Sequence, residues 1–393
     1  MLAKVCELGS PDEPVLASRR MRIALFSGNY NCVRDGANQA LSRLVAHLMA
    51  AGHSVRVYSP TVPRPAFEAA GDLISVPSVP IPRRPEYRVA LGLPAAIRED
   101  LDMFGPDIVH LSAPDWLGRA AQKHARRKAV PVVASLHTRF ETYLDYYGLG
   151  LLRRSAEAWL DRFYRDSDVI LVPNAPIAAE FVAKGYGGVR VWGRGVDRTI
   201  FTPTLRDRAW RHAQGYGERD TVVLFFGRLV REKGIAIFAK VIAEALLRGR
   251  RLRPLIIGDG PERRWLAERL PDARFLGHLS GPTLGRAVAA ADILVNPSTT
   301  EAFGNVNLEA MAAGVPVISA DVASAAALIA DRRSGWLVQS GDVPAYVDAV
   351  ETLIDQPGLR QAIIAGGLVR AADFRWSNIL DDVIDSYRTL LPE

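Results

Sequence analysis

Short apolar runs alternate with longer amphipathic stretches along almost the whole chain. Residues 21–27 (MRIALFS) read as a buried strand, 28–36 as a loop, 37–51 as a helix stopped by Gly52, and 55–58 as the next strand. Runs at 108–111, 132–136, 169–173 and 189–192 predict further strands with helical segments between them. Uninterrupted apolar runs are what strands covered on both faces need, so this half predicts a doubly wound α/β domain. The pattern then restarts after the connecting segment GRGVDRTIFTP. Strands at 221–226, 255–258, 293–295, 315–319 and 335–338, with helices at 235–247, after GDGPE and at 305–313, predict a second domain of the same kind. The last stretch, 376–391, places Ile379, Leu380, Val383, Ile384, Tyr387 and Leu390 on one helical face, far enough from the last strand to cross back onto the first domain.

Length agrees with this division, because 393 residues exceed what one core usually supports. The expected organisation is a flexible N-terminal extension (1–20), a first Rossmann-like domain (21–198), a second (199–375) and a returning helix (376–393). Residues 1–20 carry Pro11, Pro14 and mixed charges with no apolar h-region, so they do not read as a signal peptide, and Met21 is an alternative start. No apolar run reaches the roughly 18–20 residues that span a bilayer. The only cysteines, Cys6 and Cys32, support neither a disulfide framework nor a zinc site, and a cytoplasmic protein is expected.

Charge adds an asymmetry. Residues 1–198 hold 26 Lys plus Arg against 20 Asp plus Glu, whereas residues 199–393 hold 23 against 23, so the net charge of +6 lies in the first half. A basic half fits an anionic partner, either a membrane surface or an acidic acceptor; a solvated Arg-rich surface fits it equally. Two interruptions of the first domain stand out. Residues 60–94 are rich in Pro and Arg and lead into LGLPAAIREDL, a short amphipathic helix. Residues 137–160 mix Tyr143, Tyr146, Tyr147, Leu149, Leu151 and Leu152 with Arg153 and Arg154, the composition of an interfacial segment or of a helix packed on its own sheet.

Candidate chemistry gathers at strand ends, where ligand crevices form in parallel sheets. The stretch 296–313 (NPSTTEAFGNVNLEAMAA) puts Glu301 in a turn after a buried strand and Glu309 in the following helix, which Asn305 opens. Two carboxylates so placed can accept hydrogen bonds from two parts of one hydroxyl-rich ligand. Arg228 and Lys233 flank the loop after strand 221–226, before a helix N-terminus, which suits a phosphate. His137 stands at another strand end, as a ligand-facing or a structural histidine. Asp166-Ser167-Asp168 matches a D-x-D metal motif superficially, but it lies where a helix ends and a strand begins, so no metal site is assigned. Neither half opens with G-x-G-x-x-G, which disfavours a dehydrogenase.

The ordered set GRLVREKG, GDGPE and E-x7-E resembles the retaining nucleotide-sugar glycosyltransferases of the GT-B fold, family 4. The likeness covers nearly everything from Met21 onward, and in the first domain it is closest to bacterial mannosyl-, glucosyl- and sulfoquinovosyltransferases that glycosylate lipids. It implies two Rossmann-like domains with parallel sheets facing a central cleft. Glu301 would hold the donor sugar's hydroxyls and Glu309 the ribose, with Arg228 and Lys233 on the diphosphate and His137 near the sugar. Further donor contacts would come from Ala302, Phe303, Gly304, Asn305, Gly258 and Gly36. Where many relatives carry Gly-Gly in the first loop, this chain has Asp35-Gly36.

The expected reaction is metal-independent transfer of a hexose, from GDP-mannose or a UDP-hexose, to a hydroxyl acceptor. A membrane glycolipid or lipid precursor at the inner face of the cytoplasmic membrane is the expected acceptor, with no cofactor and no nucleic acid partner. Two rivals share the architecture: a nucleotide-sugar epimerase, and a non-catalytic nucleotide-sugar-binding protein that would be expected to have lost Arg228, Lys233 or Glu301.

Overall fold

The computed structural model describes residues 19–33, 35–81, 84–137, 153–301 and 303–392. The aromatic segment 138–152, most of the expected N-terminal extension, and Ala302 lie outside them.

The first sheet is built from β1 (Arg22–Phe26), β2 (Ser54–Ser59), β3 (Asp72–Ser75), β6 (Ile108–Leu111), β7 (Val132–Ser135), β8 (Val169–Val172) and β9 (Val189–Val191). Its spatial order is β3-β2-β1-β6-β7-β8-β9, all parallel, with Ile23 opposite both Val55 and Ile108. The second contains β10 (Thr221–Phe226), β11 (Leu252–Ile257), β12 (Arg274–Gly277), β13 (Ile293–Asn296), β14 (Val317–Ala320) and β15 (Trp336–Val338). Its order is β12-β11-β10-β13-β14-β15, again all parallel.

Why the strands read as continuous apolar runs is visible in their packing. Ile23 and Leu25 enter a cluster with Leu41 and Leu44, while Ala24 and Phe26 enter the opposite one with Leu117 and Phe163. In the second domain Val222 and Leu224 face one core, Val223 and Phe225 the other. Helices therefore cover both faces of each sheet, and these central strand positions are apolar whichever side they face. Strand order reverses beside β1 and beside β10, which puts the ligand crevice at the carboxyl ends of those strands.

The Pro- and Arg-rich interruption contains an antiparallel hairpin, β4 (Ser78–Ile81) with β5 (Arg84–Ala90). It is tied to the loop after β1 by a reciprocal pair: Arg88 N–H donates to Asn29 Oδ1 at 2.8 Å and Asn29 Nδ2 donates to the Arg88 carbonyl at 3.1 Å. The short amphipathic helix follows as Ala95–Phe104.

The chain crosses between the two sheets twice, at one place. Val196 N–H donates to the Phe374 carbonyl at 2.9 Å, and a Cβ on Gly195 would lie 2.6 Å from the Trp376 ring, so only glycine lets the two crossings touch. From there helix Trp376–Arg388 lies on the first sheet, burying Leu380, Val383, Ile384 and Tyr387 against Ile23, Leu25 and Leu41.

Candidate active site

Helix Asn305–Ala312 is pinned to the sheet by a buried amide ladder. Asn296 Nδ2 at the end of β13 donates to Asn307 Oδ1 at 2.8 Å, and Asn307 Nδ2 donates to Ser319 Oγ on β14 at 3.0 Å. Buried amides with both ends satisfied admit few alternative arrangements, so the helix start is rigid. Gly304, at φ +96°, supplies the left-handed turn that begins it and offers no capping side chain, leaving the first N–H groups for a ligand.

Glu301 precedes that turn. Its Oε1 accepts a hydrogen bond from Lys233 Nζ at 2.7 Å, and the two side chains are only 19% and 18% exposed. Neighbouring strands explain the meeting, since β10 feeds the Lys233 loop and β13 feeds the Glu301 turn. Gly234 is required for the approach: at φ +72° its Cα passes the β13 exit so closely that a Cβ would lie 2.7 Å from the Pro297 carbonyl. Arg228, exposed in the same loop, has no ion-pair partner among the described residues. Gly258 lies underneath, where a Cβ would fall 1.8 Å from the Gly227 carbonyl; it seats the turn that carries Arg228.

The first domain closes the other side. Gly36 begins helix Gly36–Ala50, and a Cβ there would lie 2.8 Å from Asn305 Nδ2, so the two lips of the cleft touch at this point. Asp35 caps the helix by accepting from Asn38 N–H at 2.9 Å. Burial pushes its carboxyl up, opposed by the N–H groups of Asn38 and Ala37 and by the positive charges of Arg228 and Arg194. The Asp35-Gly36 pair thus combines a helix cap with the close approach that a glycine allows.

Part of the Glu309 residue reaches solvent, but its carboxyl is surrounded by protein, and that desolvation pushes it up to about 8; Arg43 of the first domain opposes the shift and Glu301 adds to it. Phe303 is oriented away from the cleft chemistry: its ring packs 5.8 Å from Phe374 in the core of the second domain, so only its backbone is available to a donor.

His137 follows β7. Its Nδ1 accepts from Arg194 Nη2 at 2.7 Å, its Nε2 bonds Ser135 Oγ at 2.9 Å, and its ring meets Trp192 edge-on at 5.0 Å. Burial, with Arg194 and His110 adding to it, holds the imidazole far below its ordinary value. Both nitrogens are therefore engaged and the ring is neutral, which unfits it for general-base work and suits it to present a fixed edge to a ligand. Asp166 and Asp168 are structural: Asp166 accepts from Arg119 at 2.6 Å and Asp168 from Val132 N–H at 2.7 Å, before β8 rather than after it.

Family models match both halves, "Glycosyltransferase Family 4" over residues 34–199 and "Glycosyl transferases group 1" over 220–356. A GDP-mannose-dependent alpha-mannosyltransferase of Mycolicibacterium smegmatis is 33% identical over 375 residues, covering 94% of this chain and 98% of that one. The chain belongs to glycosyltransferase family 4. A sulfoquinovosyl transferase of Arabidopsis thaliana is 28% identical over 93% of this chain and 72% of its own length. Among solved structures, sucrose-phosphate synthase from Thermosynechococcus elongatus superposes with a TM-score of 0.76 at 20% identity, covering 94% of this chain and 99% of that one. The fold of this glycosyltransferase is accordingly GT-B, and of the readings open at the sequence level, transfer is the one that stands.

Sequence reasoning passed over Arg194, Arg43, Ser135 and His110. His110 carries a signal, as the one polar residue in the buried strand IVHL. Arg194 sits between two glycines in a segment without periodicity, and Arg43 lies on an ordinary amphipathic helix. Neither of those two shows in the sequence.

Proposed function

We propose that this glycosyltransferase moves mannose from GDP-mannose, with retention of configuration and without a metal ion, to a hydroxyl of a membrane lipid acceptor. The observation that carries the donor half is the Lys233–Glu301 pair beside Arg228, which has no ion-pair partner among the described residues. Two fixed cations next to a polarised carboxylate match a sugar diphosphate, whose leaving group gains charge as the glycosidic bond breaks; cations there stabilise the transition state more than the ground state. Mannose and guanine are supported by the relatives, three of which are GDP-mannose-dependent alpha-mannosyltransferases.

Retention proceeds by front-face attack. The acceptor oxygen bonds to the anomeric carbon from the leaving-group side, the bond to the diphosphate oxygen breaks, and a phosphate oxygen takes the acceptor's proton. The engaged nitrogens of His137 and the engagement of Glu301 by Lys233 support this route over one needing a protein base or nucleophile. For the acceptor, the supporting features are the basic first half and exposed apolar residues Val79, Ile81 and Leu91 in and after the hairpin. No described helix is long and apolar enough to cross a membrane, so contact with lipid would be peripheral.

A donor panel of GDP-mannose, UDP-glucose and UDP-glucuronate, run in EDTA with anionic and neutral vesicles, tests the whole reading. Turnover of GDP-mannose in EDTA and flotation with anionic vesicles at low salt are expected. A UDP-sugar as sole donor, loss of turnover in EDTA, or no vesicle binding would each overturn its part.

Glu309 gives a second test. Its folded-state pKa of about 8 lies above the unfolded 4.5, so the folded state holds a proton the unfolded one releases, and stability falls as pH rises through that window. Glu309→Gln should therefore melt a few degrees (about 2–5) higher than the parent at alkaline pH and show no gain in acid. Its donor KM should rise about tenfold at alkaline pH, where the parent offers the ribose a charged acceptor and the variant does not. Melting curves across pH and donor titrations check both; a parent whose stability is flat across the window would refute the titration.

A further inference from the structure

A buried chain of polar contacts leads from His137 away from the cleft and ends on the C-terminal helix. His137 Nε2 meets Ser135 Oγ at 2.9 Å, Ser135 Oγ meets His110 Nε2 at 2.8 Å, and His110 Nδ1 meets the Tyr387 hydroxyl at 2.5 Å. His110 and Tyr387 are both 0% exposed and Ser135 1%. The four residues come from β7 and its exit, from β6 beside it, and from helix Trp376–Arg388, more than 200 residues further along the chain.

We propose that Tyr387 is a positioning residue for His137, acting through His110 and Ser135 to fix which edge the imidazole presents to the cleft. Arg194 has only donors, so His137 Nδ1 must accept from it and the proton of the neutral ring sits on Nε2, directed at Ser135 Oγ. The tyrosine hydroxyl donates to His110 Nδ1, His110 Nε2–H donates to Ser135 Oγ, and the serine proton turns to the Leu111 carbonyl at 3.5 Å. This polarity gives every buried proton an acceptor. The reverse polarity strands the phenolic proton, a costly choice for a fully buried group.

Burial keeps both imidazoles uncharged, with His110 pushed down to about 3, so the pattern of donors does not change across ordinary pH. The same helix braces the far end of the chain of contacts, because the Trp376 ring lies against Gly195, next to Arg194. His137 is thereby held on both nitrogens by groups that the C-terminal helix supports. Such a network restricts the ring more than packing alone would, because each member's remaining hydrogen-bond capacity is spent on its neighbour.

The inference rests on the proposed placing of His137 beside the donor sugar, and the test separates the two. Tyr387→Phe keeps the ring in its apolar cluster and removes only the hydroxyl. Its kcat for transfer should fall about tenfold with donor KM within about twofold, the signature of a group that orients rather than binds. In 15N-detected histidine spectra of the full chain, the parent should show His110 as a single Nε2–H tautomer and Tyr387→Phe a mixture, with the His137 Nε2–H resonance shifted as its Ser135 acceptor is released. Ile384→Val, on the same helix and in the same cluster but without a polar role, should leave rate and tautomer as in the parent. An unmoved His137 spectrum in Tyr387→Phe overturns the relay. A moved spectrum with an unchanged rate sustains the relay and overturns the placing of His137 at the reacting sugar.

Discussion

Lys233→Ala should run about a thousandfold slower than the parent at saturating acceptor, the scale of loss when a preorganised electrostatic group is removed from a reacting centre. The lysine has two neighbours to serve. In the proposed donor complex its ammonium would face the developing charge on the diphosphate, and it holds Glu301 at 2.7 Å. Alanine leaves Glu301 as a mostly buried carboxylate with no cation, which repels the donor phosphates as well as failing to attract them. Lys233→Met separates charge from packing, since it keeps most of the aliphatic stem, and it should lose nearly as much. Arg228→Ala should lose less, about a hundredfold, because its exposed guanidinium is screened by water until the donor excludes it. Single-turnover transfer rates with melting temperatures alongside decide the matter. Folded Lys233→Ala protein turning over within tenfold of the parent would end the phosphate-clamp reading.

The positions of these side chains are largely legible in the sequence. The strands could be read because both faces of each sheet are covered, so every position from Val222 to Phe225 had to be apolar whichever way it pointed. Glu301, Lys233 and Arg228 could be read because each stands just beyond such a strand, where a charged side chain has no core to enter. That Lys233 and Glu301 grip each other is a consequence of β10 lying beside β13, a pairing across 68 positions that no local pattern encodes. The hairpin at 78–90 was hidden for a different reason: Pro80 and Pro82 and the charges around them break the alternation that marks an exposed strand. Phe303 shows the limit of carrying a motif over residue by residue, since the turn keeps the motif's spacing while the ring itself belongs to the core.

The buried contacts behind His137 were out of reach altogether. Positions 110, 135, 137 and 387 meet only because β6 and β7 are adjacent and the last helix returns to the first sheet. In the sequence Tyr387 is simply one more apolar position on an amphipathic face. Its hydroxyl matters because the helix carries it to a polar residue in a strand that is otherwise hydrophobic. The crossing between the sheets works the same way: Gly195 is one glycine among several in its segment until Trp376 arrives against it.

Glu301→Ala should also cost about a thousandfold in kcat, since hydrogen bonds from two sugar hydroxyls to a carboxylate are each worth roughly 1.5–3 kcal/mol. Its donor KM should change little, because removing the carboxylate frees the Lys233 ammonium to grip the diphosphate harder in the ground state. Glu301→Gln keeps the shape and an acceptor oxygen, and it should fall between alanine and parent. The decisive measurement is the double variant. Groups in direct contact do not contribute independently, so Lys233→Ala with Glu301→Ala should lie within about tenfold of the slower single variant rather than at the product of the two losses. Removing the lysine already disables the carboxylate by leaving it unpaired against the donor phosphates; removing the carboxylate afterwards relieves that repulsion as much as it withdraws a contact. Losses that multiply to about a millionfold would mean that the two side chains act on separate parts of the donor without communicating, and the 2.7 Å contact would then carry no coupling.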